Sequence, residues 1–124
     1  MNAKIRKLLA FMVGVLFSLT AMFALAGDWT SKKSIGRFLV FDDQSVSVYP
    51  ASGSWSNPDL CDSAARIVLL GPGAEGAVKA YKEIYASLLG AHLTDRKIRA
   101  FLVGCKKIGS KTYPLLKRVD IRAS

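Results

Sequence analysis

Two cysteines, Cys61 and Cys105, are the side chains whose chemistry the sequence defines most clearly. They are too far apart for a CxxC redox motif, and the 124-residue chain offers a single histidine as a further metal ligand. Both a redox pair and a metal site are therefore disfavoured. In an oxidising compartment, two cysteines in a small domain most simply form one disulfide. We predict a structural Cys61–Cys105 bridge, no metal site and no cofactor.

Three other patterns resemble catalytic or cofactor sites, but a structural role explains each of them better. Residues 71–76 (GPGAEG) match the GxGxxG of dinucleotide-binding domains. However, Pro72 removes a backbone N–H from that turn, and a short chain with a single predicted helix cannot supply repeated βαβ units. His92 lies on the apolar stripe of the predicted helix with no nucleophile or second histidine to accompany it. The adjacent carboxylates of Asp42 and Asp43 are typical of a turn, so the sequence predicts no catalytic residue and no enzyme.

The basic side chains are the main candidates for ligand binding. The formal net charge is +9, and the basic excess lies mostly in the last third of the chain. Such a charge favours anionic partners (acidic glycans, lipid headgroups or nucleic acid), although a basic face that only keeps a domain soluble has the same signature. Trp55 lies in a predicted loop, where its ring could stack on a sugar; a structural role covering one end of the domain is the favoured alternative. The candidate ligand-binding residues are Trp55, Lys97, Arg99, Lys106 and Lys107.

The first 26 residues have the pattern of an export signal. Basic residues open the segment, an apolar run follows from residue 8, and Ala24-Leu25-Ala26 ends it with the small-x-small pattern that signal peptidases recognise. We predict cleavage between Ala26 and Gly27, which leaves residues 27–124 as a single exported domain, periplasmic or extracellular, without a membrane span. Retention of the leader as an anchor is the disfavoured alternative, because its last stretch is rich in alanine and no basic cluster follows at once.

Apolar periodicity after the leader predicts five strands and one helix. A turn-rich loop at residues 50–59 is expected to be exposed and to lead to Cys61. The strands are predicted at residues 34–41, 44–49, 66–70, 97–103 and 113–122, and the amphipathic helix at residues 77–92. The order β-β-β-α-β-β is that of an OB-fold, a small, partly open barrel whose helix plugs one end. An α+β sheet with the helix packed on one face would show the same order.

A family resemblance emerges from four features taken together. These are the early hairpin, the cysteine ahead of the third strand, the helix around AVKAYKEIYASLLGAHL and the basic strand KIRAFLVGC after it. In this pattern the chain resembles small secreted bacterial proteins, including the B subunits of subtilase-cytotoxin-like and pertussis-like AB5 toxins. The resemblance implies an OB-fold, export, assembly into a homo-oligomeric ring and glycan binding without catalysis. No glycan-contacting residue of those toxins matches a position of this chain, so none is carried over.

Two functional hypotheses follow from the sequence. The leading one is a non-enzymatic exported binding module that holds a glycan or another anionic ligand through its basic strands. The alternative is a periplasmic protein that binds or inhibits a partner protein. Nucleic-acid binding, suggested by charge and fold, ranks behind both.

Overall fold

The computed structural model describes residues 27–121 as six strands and one α-helix. The predicted leader, residues 1–26, lies outside the described residues, and so does Ala26 at the predicted cleavage site. The elements are β1 (Asp28–Trp29), β2 (Lys33–Val40), β3 (Val46–Pro50), β4 (Ile67–Leu69), α1 (Tyr81–Leu93), β5 (Lys97–Ile108) and β6 (Lys111–Ile121). The mainly β class with a single helix is confirmed; the helix lies between β4 and β5, and β1 is a strand that was not predicted. Within the described part of the chain, no helix is long and apolar enough to cross a membrane.

The strands pair into a closed ring. Neighbours follow the order β5-β2-β3-β4-β6, and β6 pairs with β5 to complete it, while β1 adds to β5. All pairs are antiparallel except β4 with β6, which run parallel and meet at Val68 and Leu115. Because β5 returns after the helix to lie beside β2, the strands β5-β2-β3-β4 have the spatial order of a Greek key.

The core lies inside this ring and under α1. Alternate residues of β5 point inward, since successive side chains of a strand face opposite sides. The helix contacts β2, β5 and β6 and adds its own buried stripe. The main core side chains are Val46, Val48, Ile67, Leu69, Ile84, Leu88, Ala91, Ile98, Ala100, Leu102 and Leu116.

Strand β5 and the helix differ most from the bounds predicted from the sequence. Strand β5 continues to Ile108 instead of ending near residue 103, because a shift of register around Gly104 (φ +79°) lets pairing with β6 resume beyond it. A glycine in the left-handed region is typical of a β-bulge. The helix begins at Tyr81 and not near residue 77, because successive turns precede it and Gly76 has a φ of +80°.

The predicted disulfide is confirmed and joins the long β3–β4 connection to β5. Cys61 and Cys105 have Cα atoms 5.7 Å apart. Beside the bridge, the Gly104 N–H donates to Asp59 Oδ2 at 2.6 Å. Asp62 and Thr112 exchange two hydrogen bonds of 2.9 Å, each backbone N–H donating to the other side chain. The connection is therefore fastened to the β5–β6 hairpin at several points.

Removing the bridge should weaken the fold strongly. The cysteines are 44 positions apart, and closing a loop of that length restricts the unfolded chain by roughly 4 kcal/mol in the entropic model. We expect the double variant Cys61→Ser/Cys105→Ser to lose about that much free energy of unfolding. Urea unfolding of residues 27–124 followed by circular dichroism measures it, and an unchanged midpoint would contradict the prediction.

Candidate functional site

The basic candidates on β5 do not form one site. Lys97 and Arg99 lie near the start of the strand, and Lys106 and Lys107 lie near its end. At about 3.3 Å per residue, Arg99 and Lys106 are separated by roughly 20 Å along the strand. Lys106 and Lys107 are consecutive, so their side chains leave opposite faces. The strand thus distributes these charges over different surfaces.

Trp55 must be removed from the candidate ligand-binding residues. Its side chain is only 3% exposed and belongs to the core. The indole Nε1–H donates to the Val48 carbonyl oxygen at 2.9 Å, and the Trp55 backbone N–H donates to Ala64. The residues just before it are exposed, as a turn-rich loop predicts, but the chain then folds the ring inward. With its indole N–H satisfied inside the protein, Trp55 has no face to offer a ligand.

The start of β5 carries an outward cluster of aromatic rings and arginines. The rings of Trp29 and Phe101 meet edge to face with centroids 5.4 Å apart. The Arg99 guanidinium lies 5.5 Å from the Trp29 ring centroid, and that of Arg118 lies 5.5 Å from the Phe101 centroid. Arg99 Nε–H also donates to the Thr30 carbonyl at 3.3 Å. Each arginine is held against a ring by cation–π attraction.

A second cluster, which we call the arginine–tyrosine cluster, consists of Arg37, Tyr49, Arg66 and Tyr113. The Arg66 guanidinium carbon lies 4.1 Å from the Tyr113 ring centroid and 6.0 Å from that of Tyr49. Arg37 lies 5.5 Å from the Tyr49 ring. These residues come from β2, β3, β6 and the residue just before β4. The geometry brings two cations and two aromatic rings together from four separate segments.

Arg66 is the centre of this cluster. Its Nη1–H group donates to Ser47 Oγ at 3.4 Å and to the Tyr49 hydroxyl at 3.3 Å. No carboxylate between residues 27 and 121 pairs with this half-buried guanidinium. A guanidinium has five N–H donors in a planar fork suited to carboxylate or phosphate oxygens. The cluster therefore presents an oriented positive charge whose protein partners are neutral.

The arginine–tyrosine cluster was not predicted from the sequence. One signal was present: Ser47 and Tyr49 alternate with Val46 and Val48, so they occupy the outer face of β3. Nothing in the local pattern places Arg66 and Tyr113 beside them, because that contact depends on the β3–β4 and β4–β6 pairings. Cross-strand register, and not spacing along the chain, creates the cluster.

A cleft of about 270 Å³ opens beside Val68, two positions after Arg66, and none of the four residues of the arginine–tyrosine cluster lines it. Its walls come from the β2–β3 turn, β4, the loop after β4 and the end of β5. We call it the apolar cleft; it is lined by Phe41, Val68, Leu70, Ala74 and Ile108, with Asp42, Asp43, Ser45, Gly71 and Lys106 around them. Of the basic candidates predicted from sequence, only Lys106 lines it.

Asp43 is a fixed negative charge at the apolar cleft. The backbone N–H and hydroxyl of Ser45 donate to its Oδ1 at 2.9 and 2.6 Å. These hydrogen bonds, the hydroxyl first, lower the pKa of Asp43 below its ordinary value of 3.8, and the Lys106 ammonium adds a smaller lowering. The carboxylate is therefore ionised at neutral pH.

The remaining candidate motifs have structural roles. Residues 71–76 form turns between β4 and α1, with the Ala74 N–H donating to the Gly71 carbonyl. A Cβ on Gly71 would lie 2.1 Å from the Asp43 carbonyl oxygen, so this close approach requires glycine. His92 stacks on Phe38, and its Nδ1 lies 3.2 Å from the Ile35 carbonyl oxygen. Among residues 27–121, no three metal-ligating side chains lie together.

Comparisons of the chain with protein-family models, with curated proteins and with solved structures found no match. The resemblance to AB5 toxin B subunits therefore stays a prediction.

The link between Ser45 and Asp43 can be tested by titration. The variant Ser45→Ala removes the hydroxyl donor, so the pKa of Asp43 should rise toward 3.8. Because the native pKa is depressed, this interaction stabilises the fold above pH 3.8, and the contribution is lost as pH falls through the native pKa. Carboxyl ¹³C NMR measures the shift, with Ser54→Ala as the control. An unchanged Asp43 titration in Ser45→Ala would contradict the assignment.

Proposed function

We propose that the protein is a non-enzymatic, exported binding module that holds an anionic ligand at the arginine–tyrosine cluster, a glycan with carboxylate or sulfate groups fitting best. The observation that carries the proposal is the half-buried Arg66 guanidinium, which two tyrosine rings flank and no carboxylate of the described residues neutralises. A cation kept in this state retains its capacity to bind an external anion.

The chemistry of the cluster suits an acidic sugar. Arginine can bind a carboxylate or sulfate through two parallel hydrogen bonds. The faces of Tyr49 and Tyr113 offer amphipathic aromatic surface to the C–H groups of a sugar ring. Arg66 is already oriented by Ser47 and Tyr49, so less conformational entropy is lost when a ligand binds.

The architecture and compartment of this module belong to the same proposal. A five-stranded ring with Greek-key order and one helix supports an OB-like architecture, in which binding on the outer strand faces is common. The Cys61–Cys105 bridge fits an oxidising compartment and so supports export, while cleavage before Gly27 is proposed from the sequence pattern alone. Assembly into a ring of identical subunits remains a proposal from the family resemblance.

A matched pair of arginine variants tests the binding site. Arg66→Gln should weaken binding of acidic oligosaccharides by about tenfold to a hundredfold, the range for losing a charged hydrogen bond. Arg96→Gln makes the same change of charge at an exposed position outside the cluster and should have little effect. Isothermal titration calorimetry with hyaluronate and heparin oligosaccharides, and with neutral malto-oligosaccharides for comparison, measures both.

Two results would contradict this proposal. Equal losses in the Arg66 and Arg96 variants would show that net charge alone attracts the ligand. No measurable affinity of the wild-type domain for any acidic oligosaccharide would exclude the glycan assignment.

One observation favours the alternative function, binding of a partner protein. Val40 and Phe41 are adjacent apolar side chains at the end of β2, and they are 49% and 40% exposed. Exposed apolar surface of this kind is common at protein interfaces. If it binds a protein, a periplasmic partner captured by the wild-type domain should be lost with either Val40→Ser or Phe41→Ser. Pull-down with quantitative mass spectrometry measures this, and equal capture by all three forms would exclude the alternative.

A further inference from the structure

The apolar cleft and the arginine–tyrosine cluster lie on the same face of the sheet, although no cluster residue lines the cleft. Val68, which lines the cleft, pairs with Ser47, and Ser47 Oγ accepts the hydrogen bond from Arg66. Lys106, also in the cleft wall, pairs with Tyr113, whose ring flanks Arg66. Arg66 and Val68 are two positions apart, so their Cα atoms are separated by about 7 Å. One small molecule can span that distance.

We propose that the protein binds a small anionic amphiphile, whose charged group contacts Arg66 and whose apolar part occupies the apolar cleft. This inference depends on the proposed function, because the same cluster holds the anion. It adds the chemical nature of the rest of the ligand: an acidic group joined to a short acyl chain or a single ring.

The walls of the cleft supply the apolar half of this site. Phe41, Val68, Leu70 and Ile108 contribute side chains from four segments. The volume of about 270 Å³ corresponds to about nine water molecules at about 30 Å³ each. Binding of an apolar group in place of this water would be favoured because it buries the surface of that group and of the Phe41 ring, which is 40% exposed.

The charges around the cleft place the anion at Arg66 and not inside the cleft. Asp42 and Asp43 both line the cleft and repel a second negative charge. Lys106 offers a positive charge there, but it already acts on the Asp43 carboxylate. Arg66 has only neutral hydrogen-bond partners. The electrostatic asymmetry thus orients an amphiphile with its head toward the cluster.

The size of the cleft favours a soluble, monomeric ligand over a membrane. Its volume of about 270 Å³ is at the lower limit for small-molecule sites. It accommodates one short chain or one ring, and not the paired acyl chains of a bilayer lipid.

A homologous series of carboxylates tests the inference. Acetate, butyrate, hexanoate and octanoate share one charged group and differ in apolar length, and 1-octanol lacks the charge. NMR titration should show affinity rising about two- to fourfold per methylene, as expected for partial to full burial. 1-Octanol should bind about tenfold more weakly than octanoate, because it lacks the contact with Arg66.

Three variants separate the two halves of the site. Phe41→Ser should flatten the dependence on chain length while leaving acetate binding unchanged. Val40→Ser is the matched control, because Val40 is adjacent and equally apolar but does not line the cleft. Arg66→Gln should weaken all four carboxylates by a similar factor and leave 1-octanol unchanged.

The outcomes distinguish this inference from the proposed function. If the affinity for carboxylates does not depend on chain length, but Arg66→Gln still weakens binding of acidic ligands, the inference of an amphiphilic ligand is overturned. The proposed anion site then stands. No effect of Arg66→Gln on carboxylates or on acidic oligosaccharides would overturn both. A third outcome is that the domain binds vesicles of anionic phospholipid through Phe41 but does not respond to the free carboxylates. That result would assign the cleft to membrane binding and overturn the proposal of a soluble ligand.

Discussion

The Cys61–Cys105 bridge joins the longest irregular connection of the described chain to the hairpin that closes the ring. Strand β4 is only three residues long, and a single register pair, Val68 with Leu115, connects it to β6. So short a contact gives little independent stability. The bridge and the reciprocal Asp62–Thr112 hydrogen bonds fasten the segment immediately before β4 to the segment immediately before Tyr113. The covalent constraint therefore reinforces the closure of the ring, which the β3–β4 pairing and the buried side chains of β4 also hold.

The arginine–tyrosine cluster depends on the same constraint. Arg66 follows the fastened segment by a few residues, and Tyr113 directly follows Thr112. The contact of 4.1 Å between the Arg66 guanidinium and the Tyr113 ring thus joins two residues that the bridge has already brought together. Since cation–π attraction at a surface is worth only about 0.5–1 kcal/mol, it cannot by itself hold the strands in register. The bridge reinforces the pairings that position the site, and the cation–π contact orients the side chains.

The sequence could predict the features that depend on local pattern. Alternating side chains and one amphipathic stripe are enough to predict the order of the long strands and the helix. The predicted leader together with two distant cysteines is enough to predict the disulfide. One local conformational detail was missed, because the left-handed Gly104 extends β5 past its predicted end. The ring of Trp55, for which the sequence favoured a structural role, turns inward from a segment of turn-forming residues. The arginine–tyrosine cluster was missed for a different reason, because its residues at 37, 49, 66 and 113 meet only through pairings between strands.

Strand β3 shows why the core and the candidate site cannot vary independently. Val46 and Val48 fill the core, and Ser47 between them is fully buried on the opposite face. Arg66 donates a hydrogen bond to the Ser47 hydroxyl on that face. A shift of β3 by one residue would place Ser47 in the core and the valines outside, removing the hydroxyl that orients Arg66. The apolar packing that fixes the register of β3 therefore also fixes the position of the charge available to a ligand.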